Sequence, residues 1–431
     1  MGRVSAVQEE HAVNRRLNIR SPLLAVAAIV AATALLGGCM VQQQRPIERV
    51  AAQKATREVP QDELLDVGVR LFDANVPADV KEQEKEGIFP EVRAAESRYM
   101  PVILRDTLEG TGEWGQVRVL PPDGTGMDVY VNARIVHSDG RELELDVTVS
   151  DATGRVWFRK QYQAEADTRA YKDVVSRPRD PFLNLYNTLA NDMLAARGKL
   201  DHQQLVQLRE VAGLRFAADL APYAFGPYIA VDRKGNYTVT RLPAPDDPVV
   251  QRMQRIRERD YSLVDTLNEY YSSFGQSMAD PYTNWRKYSY EELEAQSEAR
   301  RQSITRQVLG AVAIVGGIVA GSNSSSSAAS AASTAAVIGG IYAFKAGLDQ
   351  RAEVQTHTES LKQLGDSFQS EVQPMVVDVE GRTLQLKGSA EQQYTEWRQL
   401  LKELYENETG LPAVAAGSSA SNAVPAGAAK P

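Results

Sequence analysis

The only cysteine in this chain of 431 residues, Cys39, stands directly after Leu36-Gly37-Gly38 at the end of an apolar run that begins at Leu23. One cysteine allows no disulfide within the chain, so its thiol is left for nucleophilic or acyl chemistry. The other residue sets of chemical type make weaker patterns. Gly110, Gly112 and Gly115 match G-x-G-x-x-G. They follow a helical stretch and precede a strand, the reverse of a dinucleotide-binding turn, so a helix-terminating loop is expected. His11, His137, His202 and His357 are isolated from one another and have no metal-ligand spacing. Glu142, Glu144 and Asp146 recur at period 2, as paired carboxylates of a glycosidase can. Leu143, Leu145 and Val147 alternate with them, however, and the simpler expectation is the wet face of a strand. Neither G-x-S-x-G nor S-x-x-K occurs. The densest aromatic set is Tyr270, Tyr271, Phe274, Tyr282, Trp285, Tyr288 and Tyr290, beside Arg286 and Lys287. Such rings can stack on sugars or on a partner, or they can pack a seam between helices. No catalytic residue, metal or cofactor is expected.

The elements around Cys39 give it a context. Arg15, Arg16 and Arg20 precede the apolar stretch, which has the length of a secretory h-region and is too short for a spanning helix of roughly 20 residues. This arrangement resembles the signal peptide and lipobox of bacterial lipoproteins. The resemblance implies a diacylglycerol on the Cys39 thiol, cleavage between Gly38 and Cys39, and acylation of the new amino group, since stable anchoring takes more than one chain. An acylated Cys39 would be no catalyst. Met40 stands where an Asp would signal inner-membrane retention, so the outer membrane, facing the periplasm, is expected. Loss of residues 1–38 removes four Arg and two Glu, leaving 44 basic against 54 acidic residues and a net charge of −10. That balance argues against a nucleic-acid partner.

Stepping along the mature chain, 40–62 is polar and aperiodic and reads as a tether. Segment 63–171 carries a strand over 64–72, a helix over 91–108 that Pro101 should interrupt, a strand over 116–120, and three alternating strands beginning at Val129, Leu143 and Val156. This β-α-β-meander order predicts an α+β domain with an antiparallel sheet half covered by a helix. The order resembles small envelope domains such as the TolB amino-terminal domain, the curli secretion lipoprotein CsgG and the penicillin-binding-protein activator LpoB. Segment 172–307 is expected to be mainly helical, with a hairpin turning at Lys234-Gly235-Asn236. Segment 348–410 reads as helix, hairpin, helix, the last opened by a Ser389/Gln392 capping box. The tail 411–431 is rich in Ala, Gly, Ser and Pro and reads as disordered.

Between these lies 308–347, two apolar halves around a Ser/Ala stretch. Ala313, Gly317 and Gly321 recur every fourth residue, as do Gly339, Ala343 and Gly347. Ridges of small residues let helices approach closely, and the halves resemble the glycine-zipper segments of envelope lipoproteins. Three roles stay open: a buried or interfacial helical hairpin, an oligomer-forming seam, and membrane insertion. The whole chain is therefore expected to be a non-enzymatic outer-membrane lipoprotein acting as a scaffold, assembly or accessory factor. A subunit of an export or pore-forming complex and a peptidoglycan-binding protein are the alternatives. The membrane is a partner through the lipid, other envelope proteins are expected partners, and a homo-oligomer is possible.

Overall fold

The computed structural model describes residues 47–171, 179–244, 246–318, 359–360, 362–363, 366, 375–379 and 382–410, with backbone alone at 299–318, 378, 379 and 382. Every element described belongs to the unit that begins at Arg49. Strand β1 (Val67–Arg70) leads through helices α1 (Val80–Glu86) and α2 (Pro90–Glu109) to β2 (Val117–Leu120). Strands β3 (Val129–Ser138), β4 (Glu142–Asp151) and β5 (Val156–Glu165) follow. Helices α3 (Leu183–Arg197) and α4 (His202–Leu220) and the single turn α5 (Pro222–Phe225) precede a small hairpin, β6 (Ile229–Val231) and β7 (Tyr237–Val239). Helix α6 (Pro248–Ile318) runs for 71 residues. A second hairpin, β8 (Met375–Val379) and β9 (Arg382–Leu386), leads to the last helix, α7 (Ala390–Thr409). The architecture is α+β, as the order of sequence patterns implies.

The five-stranded sheet has the order β2-β1-β3-β4-β5. The pairs β3–β4 and β4–β5 are antiparallel, but β1 is parallel to both β2 and β3. The sheet is thus mixed rather than antiparallel throughout. The connection through α2 carries the chain back across the sheet, which is what a parallel neighbour requires. The alternation seen in the sequence holds: Leu143, Leu145, Val147 and Val149 of β4 are buried, and the residues between them are half exposed. Helix α2 is not interrupted at Pro101. A proline there has no N–H to give the carbonyl of Ser97, and the Phe72 N–H takes that carbonyl instead at 2.9 Å. A partner from outside the helix therefore satisfies the oxygen that Pro101 leaves free.

Two cores result. In the first, Val67, Val69, Val131 and Leu145 of the sheet pack with Ala95 and Met100 of α2 and with Leu189 and Met193 of α3. In the second, Leu120, Met127 and Tyr130 meet Phe216 of α4 and Tyr394, Trp397, Leu401 and Leu404 of α7. Helix α6 joins both. Met253, Ile256, Leu263, Leu267 and Tyr271 enter the second core, whereas Phe274, Met278, Tyr282 and Trp285 enter the first. Its Asn268 also closes the sheet. The Asn268 Oδ1 accepts the Val119 N–H at 2.7 Å, and its Nδ2 donates to the Val119 carbonyl at 3.0 Å. An amide side chain thereby satisfies one residue of edge strand β2 as a further strand would. The capping box appears as expected, with Ser389 and Gln392 satisfying each other's backbone N–H groups. Among the described residues, no helix is long and apolar enough to cross a membrane.

Candidate functional site

Helix α3 carries Asn184, Asn187 and Asn191, spaced to share one face. Its other face is apolar, and Leu185, Leu189 and Met193 are buried in the first core. The asparagines hold main chain. The Val50 N–H donates to Asn184 Oδ1 at 3.0 Å, and Asn187 Nδ2 donates to the Val50 carbonyl at 2.8 Å. Asn191 Nδ2 donates to the Ala51 carbonyl at 3.0 Å, while its Oδ1 accepts the Gln53 N–H at 2.7 Å. The Ala55 N–H then reaches the Thr111 carbonyl at 2.8 Å. From Val50 onward, the stretch expected to be a tether is strapped to the folded body.

A pocket of about 420 Å³ opens where this strap begins, lined by Arg49, Asp167, Arg169, Arg179, Asp180 and Asn184, among others. The first turn of α3 forms part of its wall, and the N-cap, Phe182, supplies no side-chain acceptor. The positive end of the helix dipole therefore adds to the guanidinium charges. Both carboxylates are already engaged. Arg169 donates to Asp167 through Nε at 2.7 Å and Nη2 at 2.8 Å, and these bonds hold the Asp167 carboxyl below its usual range. Asp180 pairs with Arg286 at 2.9 Å, with both side chains buried, and its other oxygen accepts the Phe182 N–H at 2.9 Å. No carboxylate within ion-pair distance accompanies Arg49 or Arg179 among the described residues. Among the described residues, the pocket therefore keeps an excess of positive charge.

The ion pair behind the pocket explains where the aromatic set lies. Burial works against the Arg286 charge, yet the pull of Asp180 leads the charge interactions that more than compensate and raise its pKa, and the guanidinium also lies 4.1 Å from the centre of the Tyr282 ring. Tyr282 stacks on Trp285 with centroids 6.2 Å apart and meets Tyr99 edge-on at 5.2 Å, and Trp285 meets Phe89 at 5.8 Å. Burial pushes the Tyr99 hydroxyl up to about 12. Glu96, fully buried, accepts both the Tyr282 and Ser138 hydroxyls at 2.6 Å. Gly140, in the β3–β4 turn, abuts the backbone of Arg286 and Tyr290 so closely that a Cβ there would overlap both. Tyr171 fixes that turn by donating to the Gly140 carbonyl at 2.6 Å. Tyr271, Phe274, Tyr282 and Trp285 are buried, Tyr270, Tyr288 and Tyr290 are half-buried against the two cores, and Lys287 is half-buried. The set is a packed seam between helix and sheet.

The remaining sequence candidates stay dispersed. Gly110 caps the end of α2, and Gly112 has φ of 69°, so the G-x-G-x-x-G segment ends a helix. Glu142, Glu144 and Asp146 lie on the wet face of β4, where Asp146 pairs with Arg134 at 3.2 Å. His137 contacts Asp139 at 2.9 Å, and that bond raises the imidazole pKa. His202 lies 3.6 Å from both Asp62 and Glu63. Among the described residues, no group of three or more His, Cys, Asp or Glu could hold a metal. Gly38, Cys39, Gly321, Gly339, Ala343, Gly347 and His357 lie outside the described residues, and Ala313 and Gly317 belong to the backbone of α6. Sequence reasoning missed the arginine pocket and the asparagine strap. The i, i+3, i+7 spacing of Asn184, Asn187 and Asn191 was the one signal available, because the arginines come from three separate segments. Comparison of the chain with protein-family models, curated proteins and solved structures finds no match.

Proposed function

We propose that this protein is a lipid-anchored envelope factor without enzymatic activity, held on the periplasmic side of the outer membrane through Cys39, and that it works as a scaffold or assembly element. The observation that carries this reading is the continuity of α6. One helix passes from the two cores into the small-residue ridge that begins with Ala313 and Gly317. From Leu293, which still packs on the first core, to Gly317 is about 36 Å of helix at 1.5 Å per residue. A ridge that far along a helix continuous with the body suits contact with another chain better than contact with its own core.

The test is Gly317→Leu in full-length protein solubilised in neutral detergent. A leucine on the ridge should hold a partner helix away, so a crosslinked oligomer should disappear while the melting temperature stays within about 1 °C. An unchanged crosslinking pattern would contradict the assembly role. The alternative, a subunit of an export or pore-forming complex that inserts 308–347 into lipid, predicts that Cys39→Ser protein still needs detergent for extraction. Glycan binding would need ring faces other than those of Tyr271, Tyr282 and Trp285, which are buried.

A further inference from the structure

We infer that the pocket of Arg49, Arg169 and Arg179 is a binding site for a phosphate group, supplied by the headgroup of an anionic phospholipid. The charge inventory comes first. Arg169 and Asp167 neutralise each other, as do Arg286 and Asp180. Arg49 and Arg179 remain, both exposed and both on the pocket rim. Guanidinium forks match the oxygens of a phosphate, and the first turn of α3 stands on the same wall, although its Phe182 N–H is already taken by Asp180. Asn187 also lines the pocket, with its amide donating to the Val50 carbonyl of the strap. The local excess of positive charge runs against the chain as a whole, which is acidic by eight charges.

The source of the phosphate follows from chain connectivity, and this part rests on the lipoprotein reading. Arg49 is ten residues beyond Cys39, a stretch that spans at most about 35 Å even when fully extended. The strap fixes Val50 to Gln53 on α3, so slack further along the chain cannot lengthen that reach. A pocket at the first fixed point after the anchor stays within reach of the bilayer surface, where phosphodiester headgroups are concentrated. Engaging one would orient the body on the membrane.

The experiment uses the full chain in neutral maltoside detergent, titrated by calorimetry with dihexanoyl-phosphatidylglycerol, dihexanoyl-phosphatidylcholine and inorganic phosphate. Wild-type protein should bind phosphatidylglycerol in preference to phosphatidylcholine. Arg49→Gln and Arg179→Gln should each weaken that binding roughly tenfold, the loss expected for one charge-assisted hydrogen bond. Arg159→Gln, an exposed cation of β5 that does not line the pocket, should leave it unchanged. Binding of inorganic phosphate without phosphatidylglycerol would keep the phosphate site and assign it to a soluble ligand. No binding of either anion, or equal weakening by Arg159→Gln, would overturn the site. Because detergent-solubilised protein needs no acyl chain here, a failure of this site and a failure of lipidation at Cys39 register separately.

Discussion

Asp260 is fully buried in the second core, where neither carboxylate oxygen makes a hydrogen bond of ordinary geometry and the Trp397 indole is only a weak partner. The nearest cation, Arg398 of α7, is 3.8 Å away and is also engaged by Asp219. Burial outweighs the pull of Arg398 and raises the Asp260 pKa from 3.8 to about 6. The sign is then fixed. The folded state holds this proton more tightly than the unfolded chain, so the stability contributed is full below about pH 4 and is lost as pH rises through 6. Above that, ionised Asp260 costs on the order of 3 kcal/mol. Asp260→Asn should therefore raise the melting temperature by several degrees at pH 7.5 and change it little at pH 3.5, below the unfolded-state pKa. Thermal denaturation at both values checks this, and a fall at pH 7.5 would mean that the Arg398 contact outweighs desolvation. None of this was legible in the sequence, where Asp260 is one more acidic residue in a charged stretch. Its burial depends on α7, which reaches it from 130 or more residues further along the chain.

At the scale of elements, the sequence was informative wherever a pattern closes on itself. Alternation revealed β3 and β4, the Ser389/Gln392 pair revealed the start of α7, and Gly235, with φ of 83°, marks the turn of the small hairpin. Elements that depend on distant partners were misjudged. Pro101 reads as a break because the Phe72 N–H that replaces its bond lies far away in the chain. The parallel placement of β1 follows from a crossover that no local pattern encodes. The strap on α3 is of the same kind, and it can be tested. Asn187→Ala removes one of its four hydrogen bonds and Asn191→Ala removes two. The double variant should expose residues 49–55 to limited proteolysis at least tenfold faster. With each exposed bond contributing about 1 kcal/mol or less, the melting temperature should drop by no more than a few degrees. Unchanged cleavage would show that the segment is held by something other than the asparagines.

At the scale of the molecule, α6 organises the rest. It crosses both cores, closes the edge of the sheet through Asn268, and carries the chain on to Ile318 without a break. The sequence suggested a boundary near 307, where charged residues give way to small apolar ones. Composition changes there but backbone does not, since Ala favours helix and isolated Gly costs only about 1 kcal/mol each. The arginine pocket was invisible for a related reason: Arg49, Arg169 and Arg179 meet only after the strap and α3 have been placed. One covalent event at the other end of the chain, the acylation of Cys39, would fix the membrane side of the strap, the pocket and α6. Incorporation of labelled palmitate into wild-type protein and Cys39→Ser in growing cells tests it most directly. Label is expected in the wild type and none in Cys39→Ser, which should also keep its uncleaved amino-terminal segment. Equal labelling of the two proteins, or none in either, would contradict it.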